Sequence, residues 1–154
     1  MTIDSLIKDF LEYLEIEKGV SPLTTRDYNH KLRRFSVWLH QNYPESKPEG
    51  INLEIVRKFR LYLAHLCNQN GLPLKKVTQN YHIIVLRAFL RYLLAQRDIP
   101  TLSPDKIELA KQASRSVNFL NSEQINMLLG SPEISDEVGL RDRAILETLF
   151  STGL

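Results

Sequence analysis

The residues best placed to do chemistry fall in two clusters. Thr24, Arg26, Asp27, His30 and Arg33 recur at helical spacing within residues 22–41, and Thr78, Tyr81, His82, Arg87 and Arg91 do so within 75–96. Hydroxyl, imidazole and guanidinium groups gathered on helix faces suit the major groove of a duplex. There Arg pairs with guanine, Asn or Gln with adenine, and hydroxyls meet phosphates. Lys75 and Lys76 stand at the start of the second cluster, where free helix amides would help bind phosphate. The competing reading is ordinary wet helix surface, and Arg87 could instead point sideways to an acidic partner inside a bundle.

The search for catalytic groups comes out nearly empty. There is no Ser-His-Asp order with supporting context and no HExxH. Glu15 and Glu17 are two apart, so on a helix they point in different directions and cannot share a substrate. His30, His40, His65 and His82 show no metal-ligand spacing, and no glycine-rich phosphate loop occurs, so neither a metal nor a cofactor is expected. Cys67 is the only cysteine, which excludes a disulfide framework and a cysteine zinc cluster. Its place beside an apolar helical stripe predicts a buried, inert thiol. Trp38, Phe35, Phe59 and Phe89 fit helical core positions.

The elements carrying these clusters follow from periodicity. Ile3, Leu6, Ile7, Phe10, Leu11 and Leu14 mark an amphipathic helix over about residues 2–18, ended by Gly19. Ser21-Pro22 starts a second helix that runs to about Gln41, with Tyr28, Leu32, Phe35 and Leu39 on one stripe. Pro44, Pro48 and Gly50 make a loop, and a third helix over about 52–69 buries Ile55, Phe59, Leu63 and Leu66. Asn70-Gly71-Leu72-Pro73 breaks it before a fourth, over about 75–96, with Ile83, Leu86, Phe89, Leu90, Leu93 and Leu94 inward. Residues 98–118 read as a linker with at most a short helix. Short helices are expected at about 122–129 and 137–151, too few to bury a core by themselves. Nothing alternates like a strand, and the fold class is all-α.

Length and composition frame this picture. The chain has 154 residues, 43% hydrophobic and 25% charged, which suits one domain, or a small domain plus a piece of another, and excludes a disordered tail or a collagen-like repeat. No apolar run approaches the ~20 residues of a membrane span, and Asp4, Lys8 and Asp9 interrupt any secretory signal. A reduced, cytoplasmic protein is expected. The net charge of +2 hides a strong asymmetry. Residues 20–43 carry +3 and 57–98 carry +7, while 1–18 carry −3, 44–56 carry −2 and 119–154 carry −4. A face built from the two basic segments would attract a polyanion, and nucleic acid is the commonest one.

Four segments resemble the N-terminal part of a tyrosine recombinase (phage integrase family), of the Xer-like or integron-like branch. "IKDFLEYLEIEKG" at 7–19 leads to Ser21-Pro22-Leu23-Thr24 and Tyr28, similar to the family's S-P-x-T-x-x-x-Y entry to its second helix. "TQNYHIIVLRAFLRYLL" at 78–94 resembles its fourth helix. Phe119-Leu120-Asn121-Ser122-Glu123-Gln124-Ile125 resembles the opening of its catalytic domain, and "LRDRAILETLFSTGL" at 140–154 is close to the family's RDRAILxLLYxTGLR. Ser103-Pro104, where Asn-Pro is common, and Phe150, where tyrosine is common, are minor departures.

The resemblance implies a four-helix, SAM-like core-binding domain over 1–97, an interdomain linker over 98–118 and the start of a catalytic domain over 119–154. It implies double-stranded DNA gripped by the second and fourth helices, with Lys111 and Arg115 of the linker touching backbone. Other protomers would join in a synaptic tetramer. Family catalysis uses a tyrosine nucleophile, without metal or ATP, while arginines, a lysine and histidines stabilise the phosphorane. The family's first catalytic arginine follows T-G-L, beyond Leu154, and the last tyrosine here is Tyr92, so these residues are expected to bind DNA without cleaving it. A non-enzymatic helical module with an acidic protein partner and a standalone helical DNA-binding regulator remain the alternatives.

Overall fold

A computed structural model describes residues 1–67, 71–111 and 119–153. Among them are six α-helices: α1 (Ile3–Ile16), α2 (Pro22–Asn42), α3 (Leu53–His65), α4 (Lys76–Gln96), α5 (Ser122–Gly130) and α6 (Glu137–Thr152). Two short 3₁₀ turns, Pro48–Gly50 and Pro104–Lys106, complete the regular structure. None of these helices is long and apolar enough to cross a membrane. The chain separates into residues 1–112 and 113–154.

Local chemistry sets most helix starts. Thr2, Ser21 and Asn52 each accept a backbone N–H three residues on, at 3.2, 3.4 and 3.0 Å. Pro22 occupies the first helical position of α2, where its missing N–H costs nothing. Gly19, at φ 60°, turns the chain out of α1. The α4 start is different: Lys75 provides no side-chain cap, which leaves first-turn amides open.

Each of α1 to α4 contributes one fully buried phenylalanine: Phe10, Phe35, Phe59 and Phe89. Phe10 meets Phe89 at 5.6 Å between ring centroids, and Phe35 meets Phe59 edge-on at 5.0 Å. α4 touches α1, α2 and α3 and carries nine buried residues, so its inward face is wide and includes the polar Asn80 and His82. The expected stripes of all four helices are inward, with Leu11, Leu14, Tyr28, Leu66 and Leu94 only half-buried.

Two sequence expectations need correction here. The third helix ends at His65, not near 69, because Leu66 turns extended, its carbonyl takes the Leu74 N–H at 3.0 Å, and Cys67 bridges to Pro73. Cys67 therefore leaves the helical stripe and is exposed, not buried. The segment after α4 packs against that helix. Ile107 is buried at 1% exposure, and buried Asn80 clamps Ala110 from both sides, donating to its carbonyl at 2.8 Å and accepting its N–H at 3.2 Å. Of the expected linker, residues 98–111 thus pack with the bundle, while 112–118 lie outside the described residues.

In the second unit, α5 opens with a capping box between Asn121 and Gln124, and α6 opens on Asp136, whose carboxylate accepts the Gly139 N–H at 2.8 Å. Gly139 is the buried residue of α6, and a Cβ there would stand 1.4 Å from the Glu133 carbonyl oxygen. α5 and α6 bury no apolar side chain fully: Met127, Leu140, Ile145, Leu149 and Phe150 are all about half exposed or more.

Candidate nucleic-acid interface

On α2, Arg26, His30, Arg33 and Val37 follow one another at i, i+4, i+7 and i+11, and all four are exposed. Arg26 and Arg33 have no acidic partner among the described residues. Tyr81 of α4 shares a shallow groove with Leu23, Thr24, Arg26, Asp27 and His30, so residues some 50 positions apart in sequence line one surface. Lys75, Lys76 and Thr78 are exposed around the uncapped α4 start. Arg91, exposed near the other end of α4, lies 3.4 Å from Asp105, an open pair that water screens strongly. Lys111 is exposed, and Arg115 lies outside the described residues.

Other cations are held by neighbouring side chains or partly buried. Lys31 is 7% exposed. It donates to Asp27 one turn earlier, and its ammonium sits 4.2 Å from the Tyr81 ring centroid. The Lys31 hydrogen bond, opposed by partial burial and helped by the Tyr81 hydroxyl, holds the Asp27 carboxyl below its usual range. Burial, then the Asp27 contact, pushes the Tyr81 phenol up. Arg97 reaches Asp9 at 2.7 Å and the Tyr92 hydroxyl at 2.8 Å. Arg60 keeps one guanidinium nitrogen buried without a partner, and burial pulls its pKa down, with Arg87 adding to the effect and Glu108 opposing it. Arg87 is half-buried and finds no ion-pair partner among the described residues.

His82 is a correction to the surface reading. It is 3% exposed and faces α2. Its Nδ1 lies 2.9 Å from the Thr78 carbonyl, and its Nε2 lies 3.0 Å from Arg34 Nη1. A carbonyl only accepts and a guanidinium only donates, so Nδ1 carries the proton, Nε2 accepts, and the ring is neutral. Burial pulls the imidazole pKa down, and the Arg34 charge adds to this against the opposing Thr78 bond. His82 thus orients Arg34 and does not itself face a groove. Thr24 is likewise half engaged, its hydroxyl 3.0 Å from Ser21 at the helix cap.

Sequence reasoning passed over Arg34, whose guanidinium also lies 3.5 Å from His30 Nε2. No local pattern announces a contact between residues 34 and 82. The Asp27–Lys31 pair did carry a signal, the i,i+4 spacing of opposite charges. Among the described residues, no group of three or more His, Cys, Asp or Glu side chains could hold a metal ion.

Residues 7–97 match the family model for the phage integrase N-terminal SAM-like domain. The chain is 32% identical over 149 residues to the tyrosine recombinase XerD of Lacticaseibacillus casei, covering 97% of this chain and 48% of that protein. It is 34% identical over 152 residues to the tyrosine recombinase XerC of Pelotomaculum thermopropionicum, covering 96% and 48%. With XerD of Pseudomonas aeruginosa the identity is 34% over 152 residues, covering 97% and 47%. The chain spans about half the length of the curated relatives it matches. No solved structure matches it. An all-α bundle with this helix order and residues 7–97 matching the SAM-like model place the chain in the tyrosine recombinase (phage integrase) family, with residues 7–97 as its N-terminal SAM-like domain.

Proposed function

We propose that the bundle grips double-stranded DNA with the exposed face of α2 and the outer face and N-terminal end of α4. The observation that carries this reading is the shared groove of Arg26, His30 and Tyr81, flanked by the unpartnered Arg33, Lys75 and Lys76. These cations can meet phosphates at no cost in internal ion pairs, while Lys31, Arg34 and Arg97 hold the helices in register. Lys111 extends the basic surface along the segment that Asn80 clamps to α4. Thr78 and Arg91 are further contacts on α4, and Arg87 supports them from its half-buried place.

The larger role proposed is site-specific DNA recombination, with other recombinase protomers as partners and the cytoplasm as the compartment where DNA is met. The interface supplies duplex binding and positions no nucleophile. The test is a titration of a fluorescent duplex with the 154-residue chain at several salt concentrations. Affinity should fall steeply as salt rises, because bound cations release condensed counterions. Exchanging Arg33 and Arg91 for Glu should remove binding while helicity stays unchanged. Binding indifferent to salt, or retained in that double variant, would refute the assignment.

A further inference from the structure

The outer face of α4 is not the basic strip its composition suggests. Val77, Tyr81, Ile84, Ala88 and Arg91 follow at i, i+4, i+7, i+11 and i+14, and only the last is charged. Val77 is 62% exposed and Ile84 39%, and Leu23 of α2, 65% exposed, borders the same groove as Tyr81. Solvated helix faces usually carry Lys, Glu or Gln. Tyr81 and Ala88 pack partly against the core, which leaves Val77 and Ile84 as the members of the line exposed to solvent. Cations stand on its flanks: Arg26 across the groove, Lys75 and Lys76 at one end, Arg91 at the other.

An apolar line framed by cations suits a polyanion that also presents methyl groups. The major groove of duplex DNA does so through the C5-methyl of thymine, which aliphatic side chains contact directly. Resting on the DNA-interface reading above, we infer that Val77 and Ile84 read thymine methyls and give this protein a preference for T-bearing steps beneath α4. The framing charges favour this occupant over a second copy of the chain, whose own corresponding face carries the same positive charge.

The experiment compares two pools of short random-sequence duplexes, one synthesised with thymidine and one with deoxyuridine, which pairs identically but lacks the methyl. The chain should bind the thymidine pool about fourfold more tightly per contacted methyl, the factor expected for one methyl-sized group withdrawn from water. The Val77→Ser/Ile84→Ser double variant should bind the two pools equally. Equal affinity of the unaltered chain for both pools, or a preference that survives in the variant, would overturn the inference and leave the DNA interface standing. Failure to bind either pool would overturn the interface as well. Dimers of the DNA-free chain in light scattering, lost in the same variant, would assign the line to a second copy and also overturn it.

Discussion

The division of cations into free and internally bound makes a quantitative prediction. Arg26, Arg33, Lys75 and Lys76 are exposed without acidic partners among the described residues, and Arg91 is held only by an open pair with Asp105. If these five meet phosphates, the slope of log affinity against log salt should lie near −4.5, at about −0.9 per contact. A fourfold rise in salt would then cost about 500-fold in affinity. Replacing Arg26 and Arg33 by Gln should bring the slope to about −2.7 and the same loss to about 40-fold. Lys31→Gln provides the contrast. Its ammonium is buried against Asp27 and Tyr81, so the slope should hold while stability falls by about 1–2 kcal/mol, discounted because Asp27 is itself 41% exposed. That corresponds to a Tm fall of roughly 4–10 °C. Fluorescence anisotropy across a salt series and thermal melts followed by circular dichroism read the two quantities separately. A slope that changes as much in Lys31→Gln as in the double arginine variant would refute the division.

Other consequences follow from the same geometry. His82 is neutral in the fold with its pKa pulled below the ordinary value, so its contribution is fully present above the unfolded value near 6.5. It is lost as pH falls from there toward the folded value, with a slope of at most about 1.4 kcal/mol per pH unit, and His82→Phe should flatten the urea midpoints in that window. Phe89→Ala, which opens a void beside Phe10, should cost about 3–5 kcal/mol in denaturant titrations. Asn80→Ala should release residues 107–111 from α4, seen as faster amide exchange at Ala110 with a loss of about 1–2 kcal/mol in unit stability. Gly139→Ala forces a Cβ into the Glu133 carbonyl and should cost about 1–3 kcal/mol, read from exchange of the first-turn amides of α6.

Much of the bundle was legible because its helices are amphipathic and capped by residues whose chemistry is local. Ser21-Pro22 and Asn121 with Gln124 act within three residues, and the four core phenylalanines sit on stripes that periodicity exposes. What stayed hidden was contact between distant positions. Nothing near Cys67 in sequence says that Leu66 will take the Leu74 N–H and end α3 early. Nothing near Ala110 says that Asn80 will bind both its backbone groups. The proposed interface was legible as two basic segments but not as individual side chains, because whether a cation is free depends on which neighbour packs beside it. Charge counting weighs Lys31 and Arg33 alike, yet one is buried beneath an aromatic ring and the other faces water.

The central position of α4 explains why the proposed binding face and the architecture meet on this helix. Its inner face serves three neighbours, so few positions remain for solvent, and those carry the groove-facing Tyr81, the apolar Val77 and Ile84, and Arg91. Asp105, the partner of Arg91, lies in the segment that Ile107 and the Asn80 clamp hold against the same helix. A phosphate taking Arg91 would therefore compete with that segment for one guanidinium. Because the pair is open to water, the competition is cheap on the Arg91 side, and the clamp at Asn80 keeps the segment attached when the pair breaks. Asp105→Asn should accordingly raise duplex affinity modestly, about two- to fivefold at low salt, by removing the rival anion. The exchange protection of Ala110 should stay unchanged. A drop in that protection would mean that the ion pair, and not the asparagine, holds the segment in place.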